Sequence, residues 1–349
     1  MVWFLAAVAV IWALGHVTGS SRRARLALIA LMYCLALMAA VLLPETHAAR
    51  AMIGRSPGAW LLLGILATLA FLYTVGLRFL RTRARRETSE HRRQDTFRDA
   101  ELPRYARHIM LREIGGTGQR KLKEAKVLVV GAGGLGSPAM MYLAAAGIGT
   151  IGVIDDDEVE ITNLQRQIAH TDPRIGMPKV FSAERTMKDL NPFADIRPYS
   201  RRLTEDIAAE LVEDYDIVLD GSDNFDTRYL TNRVCVAAGK PLVSAALTQW
   251  EGQISVFDPA RGAPCYQCVF PEAPASGLAP SCAEAGVLGP LPGVLGAMMA
   301  VEAVKLVARA GEPLRGRMMI YDALYGETRT IGLTRREGCE TCGFPTDTD

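Results

Sequence analysis

The chain has 349 residues, 39 of them Lys or Arg and 38 Asp or Glu, for a formal net charge of +1. That length supports a large core and more than one module, and the near-neutral balance gives no global field for nucleic acid, so no nucleic-acid partner is expected. Of seven cysteines, four form two close pairs and Cys34 lies in an apolar run, which leaves Cys235 and Cys282 and excludes a secreted disulfide framework.

Three stretches near the N-terminus, residues 2–17, 26–43 and 59–77, contain no Asp, Glu, Lys or Arg. At about 1.5 Å rise per residue, the second and third are long enough to cross a hydrocarbon core of roughly 30 Å, and the first is marginal. A signal peptide does not fit the first run, because Arg22, Arg23 and Arg25 follow it and no cation precedes it. Buried core helices are the other reading, but three such runs within residues 1–80 leave no polar faces for a water-soluble fold. The arginines set an orientation. The first loop carries Arg22, Arg23 and Arg25, the second Arg50 and Arg55, and Arg78, Arg81, Arg83, Arg85 and Arg86 follow the third run. The positive-inside rule then places the first loop and the main domain in the cytoplasm and the N-terminus outside, as a multi-pass membrane protein. Residues 81–102 are charged and mixed in sign, and read as a solvated helix or linker.

Lys126 to Val130 is a short apolar run that ends in Gly131-Ala-Gly133-Gly134-Leu-Gly136. A small-residue helix from Pro138 to Ala146 follows, and a second apolar strand from Thr150 to Ile154 closes on Asp155. Strand, glycine turn, helix, strand and acid in that order are the pattern of a Rossmann-type unit. The glycines admit a phosphate to backbone N–H groups, and the acid is placed for ribose hydroxyls. A dehydrogenase for NAD is the ordinary alternative. Asn163, Arg166 and Lys179 tilt the balance to a triphosphate, since polar and cationic groups close after the second strand suit phosphate charge. Asp216 to Leu219 is another strand, closed by Asp220-Gly-Ser-Asp223-Asn224. Asp223 can hold Mg²⁺ through oxygen ligands or serve as a helix cap, a role that Ser222, Asp223 and Asn224 all favour. Further on, Cys265-Tyr-Gln-Cys268 and Cys339-Glu-Thr-Cys342 can supply four thiolates to a closed structural zinc site, which suits the reducing cytoplasmic side. Cys235 reads as core, and neither His108 nor His170 has a partner cluster in the sequence.

These segments resemble the ThiF/MoeB/HesA family, bacterial relatives of ubiquitin-activating enzymes, from about residue 103 to 343. The matching pieces are Arg104-Tyr-Ala-Arg107, the glycine turn, Asp155-Asp-Asp157, Asn163-Leu-Gln-Arg-Gln167, Gly176-Met-Pro-Lys179, Asp220 to Asn224, Glu251-Gly-Gln253, both cysteine pairs and Cys282-Ala-Glu-Ala-Gly286. The resemblance implies an α/β, Rossmann-like fold around a mostly parallel sheet flanked by helices, here preceded by about three transmembrane helices. It implies a homodimer that binds MgATP and adenylates the C-terminal glycine carboxylate of a ubiquitin-like sulfur-carrier protein, releasing pyrophosphate. Gly131, Gly133, Gly134 and Gly136 would let the backbone approach ATP, and Asp155 would bind the ribose. Asp157 and Asn224 fall in the same nucleotide-binding motifs. Asn163, Arg166 and Lys179 would contact phosphates, and Asp223 would hold Mg²⁺. Arg107 resembles an arginine that reaches into the partner subunit's site, or is a surface ion pair. Cys282 resembles a cysteine that in some relatives links to the activated carrier, and its other reading is a small residue in a mobile loop. The chain departs from the family pattern in its membrane-spanning front. No rhodanese-like module follows Cys342, only a short tail at 344–349, so a separate sulfur donor is expected. Activation of another carboxylate, such as one on a modified tRNA, and a non-catalytic membrane scaffold are the alternatives.

Overall fold

The computed structural model describes residues 2–17, 21–42 and 44, scattered positions between 58 and 76, residues 97, 98 and 100–274, and residues 285–343. The chain forms two compact units, Met1–Asp95 and Thr96–Asp349.

In the first unit, α1 is Val2–Val17 and α2 is Arg22–Leu42. The described positions from 58 to 76 are also helical. One aromatic cluster joins the three runs. The Phe4 and Trp60 rings meet edge-on at 5.1 Å, and the Tyr33 hydroxyl donates to the Trp60 carbonyl at 2.6 Å. Along α2, Leu28, Leu31, Leu35, Met38 and Leu42 stay exposed. The expectation of three membrane-crossing helices is not supported by the described residues. Helix α1 has 16 residues, about 24 Å at the standard rise, and the apolar part of α2 is confined to Ala27–Leu42. Most of the third run and of the charged linker lies outside the described residues.

The second unit opens with α3 (Glu101–Ile109) and α4 (Gly115–Glu124). The order then runs β1 (Lys126–Val130), α5 (Gly136–Ala146), β2 (Thr150–Asp155), α6 (Lys179–Leu190), β3 (Asp195–Ser200), α7 (Glu205–Glu213), β4 (Ile217–Asp220), α8 (Phe225–Ala237), β5 (Leu242–Leu247) and β6 (Glu251–Phe257). The short α9 (Tyr266–Val269), α10 (Pro290–Ala308), β7 (Arg317–Asp322) and β8 (Glu327–Gly332) complete it. One sheet contains all eight strands in the order β3-β2-β1-β4-β5-β6-β7-β8. Strands β1 to β5 pair in parallel, as expected from the helices that separate them. The sheet is nevertheless mixed, because β6, β7 and β8 add by antiparallel pairing. Only Thr248–Trp250 separate β5 from β6, and so short a link cannot make the crossover that a parallel pair needs.

Alternation along each strand divides the core in two. Val127, Val129, Ile151, Val153, Leu219 and Val243 face helices α4, α5, α6 and α10. Leu128, Val130, Ile154, Val218 and Leu242 face α7 and α8. Helix α10 is the one described helix long and apolar enough to cross a membrane, and half of it is buried inside this unit. At Gly296 an added Cβ would stand 2.3 Å from the Leu135 carbonyl oxygen, so α10 seats against the turn that starts α5.

Candidate functional site

The chain leaves β1 toward β2 and β3, then returns on the other side of β1 to make β4 and β5. That reversal is a switch point, and the turns after β1 and β4 diverge from the sheet there, where ligands bind in open α/β folds. The two turns touch backbone to backbone. Gly131 has φ +92°, and a Cβ on it would lie 3.1 Å from the Gly221 carbonyl oxygen. A Cβ at Gly136 would come within 1.9 Å of the Gly131 oxygen. Gly133 and Gly134 differ from these in their N–H groups, although a Cβ at Gly134 would still lie 3.1 Å from Pro292. Their N–H groups donate to no protein group among the described residues, and the nearest atom to a Cβ at Gly133 would be 3.7 Å away. They are the donors free to meet a phosphate.

Asp155, at the end of β2, accepts from the Ala132 N–H at 2.7 Å and from the Asp157 N–H at 2.8 Å. Burial raises its pKa, opposed by the nearby Lys179 ammonium and by those backbone donors. Each carboxylate oxygen keeps acceptor capacity for a hydroxyl. Lys179 opens α6 and is only 4% exposed. Its ammonium is held by Asp157 at 2.7 Å, so Asp157 orients the lysine. Arg166 donates to Asn163 Oδ1 at 2.9 Å and to the Thr162 carbonyl at 3.1 Å. The arginine stem also lies beside Gly134. Asn163, Arg166, Lys179, Asp157 and Asp155 thus converge on the glycine turn.

After β4 the capping question resolves. Asn224 is the N-cap of α8, its side-chain oxygen accepting from the Thr227 N–H at 2.9 Å. That oxygen is engaged in holding the helix, which places Asn224 at the start of α8 beside Asp223. Asp223 is left exposed, with no hydrogen bond or ion pair among the described residues. A free carboxylate beside the phosphate-facing turn fits a Mg²⁺ ligand. Beneath it, buried Asp220 accepts from the Ser222 N–H at 3.0 Å and from Ser244 Oγ at 2.9 Å. Arg228, also buried, donates to the Ser222 carbonyl and to Ser244 Oγ. Sequence reasoning missed Arg228 and His170. His170 is buried between the Ala132 carbonyl and Ser182 Oγ, at 2.9 and 3.0 Å. Neither residue carries a local signal, since their partners are set by the fold. Arg107 is exposed on α3 and makes no ion pair among the described residues. Cys282 lies outside the described residues.

The four paired cysteines come together as expected. All are buried, and their sulfurs lie within 4.8 Å of one another. The Cys265–Cys268, Cys265–Cys339 and Cys268–Cys342 separations are 3.8, 3.6 and 3.3 Å. A tetrahedral zinc with bonds of roughly 2.3 Å requires sulfur–sulfur edges of about 3.8 Å, so the donor set and its spacing fit that ion. Burial pushes the Cys265 thiol up. Burial also acts on Cys339, but backbone donors from Cys342 and Thr341 and its neighbouring thiols outweigh it and bring this thiol down to about 7. A divalent cation relieves the cost of crowding four such groups in the interior.

Known proteins resemble this chain in sequence and in fold. The ThiF family model covers residues 105–341. The chain is 47% identical over 247 residues to a sulfur carrier protein adenylyltransferase of Thermus thermophilus, covering 70% of this chain and 91% of that protein. It is 47% identical over 243 residues to a SAMP-activating enzyme E1 of Haloferax volcanii, covering 70% and 89%. It is 48% identical over 251 residues to the adenylyltransferase and sulfurtransferase MOCS3 of Bos taurus, covering 71% of this chain but 55% of that longer protein. Among solved structures, E. coli MccB superposes with a TM-score of 0.62 at 24% identity, covering 69% of this chain and 75% of MccB. MccB with ATP gives 0.58 at 23%, covering 69% and 73%. Those structural likenesses establish the fold. With the family model spanning most of the chain and close relatives matched over nearly their full length, the protein belongs to the ThiF family.

Proposed function

We propose that the protein uses ATP to adenylate the C-terminal glycine carboxylate of a ubiquitin-like sulfur-carrier protein, which prepares that carrier to receive sulfur. The observation that carries this reading is the 47% identity to a sulfur carrier protein adenylyltransferase over 91% of that protein's length. The site chemistry agrees with it. A carrier carboxylate oxygen attacks the α-phosphorus, and the bond to the pyrophosphate oxygen breaks. The attacking group is already an anion, so the reaction needs no general base. It needs positioning and a positive field where pyrophosphate charge develops. Gly133 and Gly134 N–H groups receive the phosphates, and Asp155 accepts from the ribose. Arg166 and Lys179 supply cations whose geometry Asn163 and Asp157 already fix. Asp223 would hold Mg²⁺, which when bound neutralises phosphate charge.

The finer features of the proposal are four. Zinc occupies the Cys265, Cys268, Cys339 and Cys342 site. Two copies form a homodimer in which Arg107 serves the partner's site. Cys282 either meets the activated carrier covalently or is structural. Residues 1–80 anchor the enzyme in a membrane with the catalytic domain in the cytoplasm, a reading supported by the exposed apolar side chains of α2 and by the flanking arginines. ATP–pyrophosphate exchange tests the main claim, measured on the full chain in detergent with Mg²⁺ and ubiquitin-like sulfur carriers. Exchange that depends on the carrier is expected, and Arg166→Ala or Asp223→Ala should lower it about a hundredfold, the scale of losing one preorganised charge contact. Undiminished exchange in both variants would remove the site assignment. Exchange with no carrier response would remove the substrate.

A further inference from the structure

We propose that His170 is a positioning residue for the nucleotide: with Asp155 it locks the Ala132 backbone so that the Gly133 N–H faces the phosphate side. This inference rests on the reading that ATP binds at the glycine turn.

The argument begins with donors and acceptors. A carbonyl oxygen can only accept, so the 2.9 Å contact to Ala132 puts the ring proton on Nε2. In the neutral ring, Nδ1 then accepts from the Ser182 hydroxyl at 3.0 Å. The ring is 5% exposed, and burial lowers its pKa, with smaller contributions from the Lys179 and Arg174 cations against the pull of the Ala132 carbonyl. On the other side, the Ala132 N–H donates to Asp155 at 2.7 Å. Both polar groups of this one residue are therefore held by side chains, from positions 23 and 38 residues downstream.

Peptide geometry carries that restraint to the next residue. In a planar trans peptide, the carbonyl of Ala132 and the N–H of Gly133 point in opposite directions. Fixing the carbonyl toward His170 aims the Gly133 N–H away from it. That N–H has no protein acceptor among the described residues. That peptide turns about ψ of Ala132 and φ of Gly133, and glycine at 133 makes the rotation inexpensive because its φ is unrestricted. The rotated form would turn a carbonyl oxygen, instead of a donor, toward a phosphate. His170 opposes that rotation without touching the ligand, and Ser182 on α6 fixes the tautomer it needs. The same helix begins with Lys179, so one element orients both a cation and a backbone donor.

The test is the dissociation constant for ATP in the presence of Mg²⁺, measured by equilibrium dialysis on the full chain in detergent, beside thermal melting of each variant. His170→Phe removes the donor and keeps a ring, and should weaken ATP about tenfold or more, the scale of one hydrogen bond to a charged partner. In His170→Gln the amide nitrogen can take the place of Nε2, and binding should recover to within about threefold of wild type. Ser182→Ala should fall between them. A ring that only packs α6 against the turn predicts something else: Phe and Gln variants with lowered melting temperatures and unchanged affinity. ATP affinity in His170→Phe equal to wild type would overturn the inference, as would a well-folded His170→Gln as impaired as His170→Phe. Should His170→Phe fail to fold, the Gln and Ser182 variants decide. A wild-type protein that binds no ATP sinks the nucleotide reading and this inference with it, whereas wild-type binding with an indifferent His170→Phe sinks this inference alone.

Discussion

Two glycines of the same turn should respond in opposite ways to a single methyl group. At Gly136 the added Cβ would sit 1.9 Å from the Gly131 oxygen and 3.0 Å from the Gly131 carbonyl carbon, roughly 1.5 Å inside ordinary van der Waals separation. The oxygen has little room to retreat. Gly131 N–H is bonded to the Ile154 carbonyl at 2.9 Å, and Gly221 N–H to the Val130 carbonyl at 2.9 Å, so both turns are tied into the sheet. Forcing backbone against backbone belongs at the upper end of overpacking costs, about 3 kcal/mol. For a unit of this size that is a melting decrease of roughly 6–12 °C. At Gly133 the nearest atom is 3.7 Å from the new Cβ, an ordinary contact, and the positive-φ glycines do not include it. Gly133→Ala should therefore melt within about 2 °C of wild type while weakening ATP, because the methyl stands where the backbone must approach the phosphates. Differential scanning calorimetry of the full chain, paired with ATP binding, reads both effects. A Gly136→Ala variant that melts with wild type would refute the steric argument, and so would a Gly133→Ala variant that is as destabilised as Gly136→Ala.

The remaining expectations concern the metal, the membrane and the unassigned cysteine. Protein purified under reducing conditions should contain zinc by elemental analysis, and Cys339→Ser should lose it together with several kcal/mol of stability; a metal-free wild type would exclude the site. Reporter fusions should place residue 90 in the cytoplasm and residue 50 outside, and release of the intact protein by an alkaline carbonate wash would count against any span. Cys282→Ser should leave adenylation intact and abolish a thiol-sensitive carrier adduct in non-reducing mass spectrometry; wild type without an adduct, and a variant that supports sulfur transfer at full rate, would make the residue structural.

Features encoded by short-range pattern were legible in the sequence. Val127 to Val130, the glycine turn and Asp155 follow one another, and each Cys-x-x-Cys pair is local, so only the meeting of the two pairs needed the fold. What stayed hidden depends on distant partners. His170 has no neighbour in sequence that reveals its hydrogen bond to Ala132, 38 residues away, and Arg228 reads as any helical arginine until Ser222 and Ser244 surround it. The cap was ambiguous for another reason. Ser222, Asp223 and Asn224 all have suitable side chains, and the choice of Asn224 follows from where α8 begins. The parallel half of the sheet was foreseeable from its intervening helices. In the antiparallel half the short β5–β6 and β7–β8 links do dictate antiparallel pairing once the strands are known, whereas the pairing of β6 with β7 spans α10 and depends on the fold.

Helix α10 passes the same test of length and hydropathy that a membrane helix passes, yet it lies half-buried in the nucleotide-binding unit. Its composition alone does not tell an insertion machinery to leave it in water. What the fold offers it is a docking surface within the same unit. Strands β1 to β6 and helix α5 precede it in the chain, so the residues of the Leu135 turn that receives Gly296 are synthesised before Pro290 to Ala308. A larger residue at Gly296 would remove the close approach that seats this helix, with little change in its hydropathy. The glycine turn after β1 therefore has two neighbours, the candidate phosphate site on one side and the apolar helix α10 on the other, where Gly296 meets Leu135 and Pro292 meets Gly134.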